Sequence, residues 1–549
     1  MSTARSAPEA GLIRALMNAK LYDHPVVSFQ LIETHISWVL LTGPYAYKIK
    51  KPVSLGFLDF STLDRRRFFC EEELRLNRRL AAPLYCAVVP ITGSTELPQV
   101  GGEGPVIDYA VKMRQFPQEA QLDRLVERGA LHVEQVDELA AAVAAFHDRA
   151  DRGEADSPFG TPERIALPIR ENFKQIRSSL DKQAGDEPDG PNEPPVDWDE
   201  QLRRLQAWSE ADHTAHWGEF LQRKAGGFVR ECHGDLHLAN MVLWEGRVLP
   251  FDCLEFDAHL RWIDVMSDVA FVTMDLAKRG RPEWANRLLN RYLEESGDYA
   301  GLRVLRSYQV YRALVRAKVA VLQRRQSEND AEWARLRALY GAYADLAERY
   351  TRQDRPSVII THGCSGSGKT VVSRLVAQAR GAIRVRSDVE RKRLFGMMPS
   401  ARSGSPLDAG LYSPDAGRRT YERLAVLAGA ILDSGYPAII DGAFLKRDQR
   451  DRLRTVAARH GAPFVILDVQ APEALVRERI HRREQEGVDA SEAGLAVLKR
   501  QLAGREPLGP DEAAVVVGVR TEVRIDPAGI LEAVNRLEAS GTSPSGASQ

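Results

Sequence analysis

The stretch that most restricts how this chain can fold is 358–370, VIITHGCSGSGKT. An apolar, β-branched run leads into Gly363, four residues, then Gly368, Lys369 and Thr370, and VVSRLVAQAR follows with helical periodicity. Strand, glycine-rich turn and helix in that order place successive backbone N–H groups and a helix N-terminus around one anion. Gly363, Cys364, Ser365, Gly366, Ser367, Gly368, Lys369 and Thr370 are therefore expected to wrap the phosphates of ATP. Lys369 would reach the β- and γ-phosphates, and the Thr370 hydroxyl would face Mg2+.

Segments downstream fit the same architecture. YPAIIDGAF (436–444) is a second apolar strand ending in Asp441, placed to position magnesium or its water. PFVILDV (463–469) is a third, and strands alternating with helices give an α/β P-loop NTPase with a mainly parallel sheet over about 356–540. In IRVRSDVERKRLFG, Asp388 and Arg391 stand three apart, and Asp388 either serves chemistry or caps a helix. Arg479 and Arg483 are four apart on one helical face, so both can swing over a transferring phosphate as a lid. This part resembles the small P-loop kinases, including gluconate kinase, chloramphenicol phosphotransferase, 5′-hydroxyl polynucleotide kinases and zeta-toxin-like enzymes. The resemblance implies that Asp388 deprotonates an acceptor hydroxyl, that Arg391 aids its binding, and that a lid arginine offsets developing charge.

A second constellation lies at 233–257, HGDLHLAN followed by a short strand and VLPFDCLEFD. Asp235 would accept a hydroxyl proton, while Asn240 and Asp252 supply the oxygen ligands a hard cation prefers. These residues resemble the catalytic loop and metal aspartate of the aminoglycoside phosphotransferase family, relatives of protein kinases. That resemblance implies an α+β, protein-kinase-like bilobal fold over about 10–350, with an N-lobe to about 115 and a C-lobe beyond.

Residues 9–20 read as a helix ended by DHP, with Leu12, Ile13, Leu16 and Met17 on one stripe. Three strand-like runs follow, FQLIET, HISWVLLTG and YAYKIKKPV. Lys48 sits where such a lobe places its phosphate-binding lysine, although strand alternation puts Lys50 on the same face. The helix expected at 63–81 should supply the partnering carboxylate, Glu73 first and Glu72 second. No GxGxxG precedes Lys48; Thr34 and Ser37 in the intervening hairpin could offer hydroxyls and N–H groups instead. The strand at 106–116 resembles the one leading to the adenine-binding hinge, with Met113 and Gln115 at the contact positions. His147 reads as a structural histidine. Asp264 and Asp268 are expected to brace the loop, and Glu255 to contact substrate or support the site.

A chain of 549 residues with a net charge of −1 is too long for one core and carries no basic surplus of the kind nucleic-acid binders show. Five scattered cysteines without a CxxC pair indicate neither zinc nor disulfides. Without an export signal or an apolar run long enough to span a membrane, a cytoplasmic setting is expected. Residues 182–198, rich in Pro, Gly and acid, read as a flexible insertion, 351–357 as the break between domains, and 541–549 as a disordered tail. Cys364 reads as a loop filler; a redox role would require a depressed pKa.

The whole chain resembles bacterial bifunctional proteins that fuse these two modules. It is expected to be an ATP-dependent kinase with two nucleotide centres and a small-molecule hydroxyl substrate, its acceptor and oligomeric state being left open. The alternatives are that one domain only senses ATP, or that the chain is a polynucleotide 5′-hydroxyl kinase.

Overall fold

A computed structural model describes residues 7–54, 58–181, 198–324, 330–352, 356–399, 401, 410–486 and 493–540. The expected insertion, except for Trp198, and the expected tail lie outside these. The chain divides into two compact units, one formed by 1–138, 146–168 and 220–275, the other by 139–145, 169–219 and 276–549.

The first unit opens with α1 (Ala7–Leu16), whose Leu12, Ile13 and Leu16 are buried. The helix stops short of residue 20. Asn18 accepts the Lys20 N–H and starts a separate 3-10 turn, leaving Met17 exposed rather than on the stripe. Next come β1 (Gln30–Glu33), β2 (Ser37–Leu41), β3 (Tyr45–Lys50), α2 (Leu63–Ala81), β4 (Tyr85–Gly93), β5 (Pro98–Val100) and β6 (Val106–Arg114). The six strands form one antiparallel sheet in the order β1-β2-β3-β6-β4-β5.

Thr62 caps α2 by accepting the Arg65 N–H. Arg66, Cys70, Glu73 and Asn77, spaced at three and four residues, form a buried stripe on this helix. It is an unusually polar stripe. Burial is tolerated because Arg66 bonds Asp108 at 2.8 Å and Asn77 donates to the Glu73 carbonyl at 2.8 Å.

Helices follow along the chain: α3 (Leu122–Glu127), α4 (Val133–Arg149), α5 (Pro162–Asp181), α6 (Trp198–Ala215) and α7 (Trp217–Ala225), of which α6, most of α5, the middle of α4 and the first turn of α7 fall in the second unit. Two small antiparallel pairs frame the central loop. One joins β7 (Val229–Glu231) to β10 (Trp262–Asp264), the other β8 (Met241–Trp244) to β9 (Arg247–Pro250). The β8–β9 turn is Glu245-Gly246 with φ of 49° and 79°, the double left-handed conformation that matches strand twist in two-residue hairpins. α8 (Ala258–Arg261) and α9 (Val265–Lys278) follow.

The second unit contains α10 (Pro282–Ser296), α11 (Leu302–Arg324) and α12 (Asp330–Thr351), then β11 (Val358–His362), α13 (Lys369–Arg380), β12 (Ile383–Arg386), α14 (Ser387–Leu394) and α15 (Pro414–Asp433). It ends with β13 (Ala438–Asp441), α16 (Arg447–Arg459), β14 (Phe464–Gln470), α17 (Glu473–Glu486), α18 (Leu495–Gly504), β15 (Val516–Arg520) and α19 (Pro527–Ser540). Its five-stranded sheet is parallel throughout, ordered β12-β13-β11-β14-β15. Every residue of β11 and β13 is buried, as continuous apolar runs in a sheet covered on both faces require. The sequence break at 351–357 does not coincide with the division into units. The helices after 276 group with the parallel sheet, α10 hydrogen-bonding directly to β12.

Candidate active sites

In the first unit, Lys48 Nζ lies 2.8 Å from Glu73 Oε1 and 2.5 Å from Asp252 Oδ1. Lys50 Nζ holds the other Glu73 oxygen at 2.8 Å and also bonds Glu255. The two lysines thus share one carboxylate from the same face of β3, yet differ in access. Lys50 is fully enclosed, whereas Asp252 beside Lys48 has 42% of its side chain exposed. Glu72 instead pairs with Arg75 at 2.9 Å and Arg261 at 3.4 Å.

Burial alone would raise the Glu73 carboxyl, but the ammonium groups of Lys48 and Lys50 overcome it and hold the pKa at about 2. Burial likewise opposes the charge on Lys48, and Asp252 and Glu73 more than offset it, pushing that pKa well up. Glu255 is driven the other way, burial raising its carboxyl despite Lys50.

The spacing of Asn240 and Asp252 has a simple structural cause. Asn240 precedes β8 and Asp252 follows β9, so the register Met241↔Pro250 and the Phe251 N–H bond to Asn240 O at 2.8 Å bring the two ends of the hairpin together. Asp252 sits at φ 61°, a left-handed conformation that Asp tolerates better than most residues, with its N–H on Tyr85 Oη at 3.2 Å. Asn240 Nδ2 donates to Asp235 Oδ2 at 2.9 Å. His233 Nε2 lies 3.0 Å from Phe251 O, and the Asp235 N–H lies 3.3 Å from His233 Nδ1. Those bonds suit a neutral ring, and burial lowers its pKa accordingly.

Asp268 accepts the N–H groups of His233 at 2.8 Å and Gly234 at 3.0 Å, so it braces the loop. Asp264 forms a buried fork with Arg223 at 2.6 and 2.8 Å. Asp275, which the sequence did not single out, takes the Leu238 N–H at 2.9 Å. Its only signal was a carboxylate seven residues beyond Asp268, on the same face of α9. His147 is buried with Nε2 3.4 Å from Asp268.

The hairpin and hinge positions make the following contacts within the protein. Thr34 Oγ1 accepts the Ser37 N–H at 2.9 Å and donates to Ser37 O at 3.1 Å, while Ser37 is itself wholly buried. The Thr34 hydroxyl is therefore engaged with the hairpin's own backbone. Gln115 donates its N–H to Pro44 O at 3.1 Å and accepts the Gly43 N–H at 2.9 Å, and Met113 packs in the core. Gln115 is thereby tied to the β2–β3 turn.

In the second unit, residues 363–370 run from the end of β11 to the head of α13, with Gly363, Gly366 and Gly368 all at positive φ. A Cβ on Gly363 would come 2.4 Å from Val469 O, so the tight passage along β14 demands glycine there. Lys369 Nζ bonds Cys364 O at 2.7 Å. Its pKa is lowered by burial, against the opposing pull of Asp441 and Asp388. The Cys364 thiol is raised by burial, opposite to what a redox-active thiol needs. Asp441 ends β13 and accepts Ser373 Oγ at 3.1 Å, a contact one turn beyond Thr370 that the motif does not announce.

Asp388 is the second residue of α14, whose cap position is Arg386, and it pairs with Arg391 at 3.1 Å. Arg479 bonds Thr521 Oγ1 at 2.8 Å and Gly366 O at 3.5 Å, and Arg483 reaches Ser365 Oγ at 3.1 Å. Arg479 and Arg483 thus both touch the 363–370 loop. One cavity of about 1220 Å³ is lined by Lys369, Thr370, Asp388, Arg391, Asp441, Arg479 and Arg483. Oxygen donors suited to Mg2+ are present in each unit, Asn240 and Asp252 in the first, Thr370 and Asp441 in the second. Nearby His362 and Asp468, 2.6 Å apart and buried, were not anticipated.

Residues 358–508 match the AAA domain family AAA_33. Over 482 residues the chain is 30% identical to the protein described as uncharacterized protein Rv2004c of Mycobacterium tuberculosis (strain ATCC 25618 / H37Rv), spanning 87% of this chain and 92% of that one. The chain belongs to the family of this mycobacterial protein. Among solved structures, a gluconokinase from Sinorhizobium meliloti 1021 is 24% identical, with 34% of this chain and 97% of that one covered and a TM-score of 0.25. A choline/ethanolamine kinase family protein from Mesorhizobium loti is 13% identical, covering 62% of this chain and 99% of that one with a TM-score of 0.34. This family member joins an α+β part built on an antiparallel sheet to an AAA_33 domain built on a parallel sheet. Among the described residues no helix is long and apolar enough to cross a membrane.

Proposed function

We propose that the protein is an ATP-dependent phosphotransferase with two nucleotide centres, each passing the γ-phosphoryl group to a hydroxyl of a small molecule. In the first centre Lys48, steadied by Glu73, holds the α- and β-phosphates, and Asp235 accepts the proton of the attacking hydroxyl. Asn240 orients Asp235 and, with Asp252, holds Mg2+. In the second, the N–H groups of 363–370 and Lys369 cradle the phosphates, and Thr370 and Asp441 hold Mg2+. Asp388 takes the acceptor proton, Arg391 steadies the acceptor, and Arg479 and Arg483 offset charge on the phosphoryl group in flight. Bound Mg2+ would neutralise phosphate charge and align the group for in-line transfer.

The observation that carries this reading is the shared cavity of the second unit, where a phosphate-binding lysine, a magnesium carboxylate and a separate aspartate beside an arginine face one space. A nucleotide alone requires the first two. The third suits a proton acceptor for a second substrate. That cavity is lined by twelve lysine and arginine side chains against five carboxylates, which favours an acceptor that itself carries negative charge.

The test is a metabolite screen for ATP-dependent gain of one phosphate, run on wild type, Asp235→Ala and Lys369→Ala. Loss of one product set in each variant is expected. A product set that survives both changes would overturn the two-centre reading.

A further inference from the structure

β12 is an edge of the parallel sheet, and an edge strand presents unpaired backbone groups on its outer side. Here α10 covers them with side chains spaced four apart. Asn286 and Asn290 Nδ2 each donate to Ala382 O at 3.0 Å, and the Arg384 N–H donates to Asn290 Oδ1 at 2.6 Å. One turn further, Glu294 places one oxygen 3.2 Å from Arg384 and the other 3.1 Å from Arg386, with only 4% of its side chain exposed. The Glu294 carbonyl also accepts from Arg393 at 2.5 Å. A Cβ at Gly297, which ends the helix, would lie 2.7 Å from Arg393 Nε, so the approach is close along its whole length.

These contacts continue into the site. Arg384 Nη1 donates to Thr370 O at 3.2 Å, and Arg386 is the cap of α14, two residues before Asp388. Glu294, Arg386 and Asp388 all line the cavity that holds Lys369. Burial would raise the Glu294 carboxyl, but Arg384 and Arg386 hold it down, so a charge-assisted bond persists on each side.

We propose that α10, which lies in the kinase-like half of the sequence, is a working part of the P-loop centre and that Glu294 is its positioning residue. Through Arg384 it fixes the Thr370 end of the phosphate loop, and through Arg386 it fixes the start of the helix bearing Asp388. The second domain is then not a module that begins at 356: part of its acceptor-side wall is made before the sequence break. This inference rests on the reading of 363–370 as an ATP site.

The experiment follows hydrogen–deuterium exchange of peptides covering 363–373 in the full chain while ATP is titrated, once with Mg2+ and once in excess EDTA. In wild type, ATP protects these peptides. Glu294→Gln keeps the shape but not the charge. It is expected to raise the half-protecting ATP concentration about tenfold with Mg2+ and by less than about threefold in EDTA, because the Thr370 end is what the metal uses. Should Glu294→Gln fold poorly, the pair Glu294→Leu with Arg384→Met removes both charges for apolar groups of similar size, and the same magnesium-selective loss is expected. Wild-type protection curves in these variants, or equal weakening with and without Mg2+, would overturn the proposal. Absence of protection in wild type itself would instead sink the assignment of 363–370 as an ATP site.

Discussion

Lys48 Nζ stands 2.5 Å from Asp252 Oδ1, joining the third strand of the antiparallel sheet to the residue just past the β8–β9 hairpin. Lys50, one face-repeat further along, has no such exposed partner and is sealed between Glu73 and Glu255. The two lysines should therefore fail in different ways. Lys48→Met is expected to lower ATP turnover at the first centre by about a hundredfold, as loss of one preorganised donor does, with a small change in denaturation midpoint. Lys50→Met leaves two buried carboxylates short of a counter-charge and should cost about 3–5 kcal/mol in chemical denaturation. Equal effects of the two changes on stability and turnover would contradict this division of labour.

Asp235 has 36% of its side chain exposed; its Oδ2 accepts Asn240 Nδ2 at 2.9 Å and lies 3.4 Å from His237 Nε2. Asp235→Asn should reduce product formation by about 10²–10⁴-fold while the melting temperature stays close to wild type. A large drop in melting temperature with activity retained per folded molecule would mark Asp235 as a structural residue.

Much of this was legible in the residues, and the parts that were not share a cause. The P-loop, the helix at 63–81 and the three N-terminal strands are local patterns, in which spacing and residue type fix the geometry. Glu73 could be preferred to Glu72 only weakly, because helical periodicity cannot tell which of two neighbouring carboxylates faces a sheet that has yet to form. Asp275, Ser373, His362 and Glu294 act through contacts between segments far apart in sequence, which no spacing encodes. Met17 was misplaced by one residue of helix because Asn18 captures the Lys20 N–H, a local bond that competes with helix continuation.

Lys369 sets up a proton linkage. Burial lowers its pKa in the protein without nucleotide, so in the alkaline range it begins to lose its proton below the usual value. A triphosphate restores the charge by offering counter-anions. ATP binding at this centre should therefore take up a proton between the depressed pKa and the restored one, and affinity should fall as pH rises through that window. Calorimetry at alkaline pH in buffers of different ionisation enthalpy reads the uptake directly. Lys48 makes no comparable contribution, since Asp252 and Glu73 overcome its burial and keep it charged. The uptake should vanish in Lys369→Ala; if it persists unchanged, another group is the source.

Asp388 offers the sharpest separation of chemistry from architecture. An aspartate near the start of a helix could be there for the helix, yet the cap position of α14 is Arg386 and Asp388 lies two residues beyond it, paired with Arg391 and lining the cavity. Its remaining structural value is the interaction of a carboxylate with the helix dipole, about 0.3–1 kcal/mol. Asp388→Asn should therefore cost no more than about that in stability. If Asp388 removes the acceptor proton, the same change should cut phosphoryl transfer at the second centre by about 10²–10⁴-fold with ATP affinity nearly intact. Measuring nucleotide affinity, transfer rate and unfolding free energy on one preparation separates the cases. A loss confined to stability, or one shared equally between ATP affinity and rate, would return Asp388 to the helix.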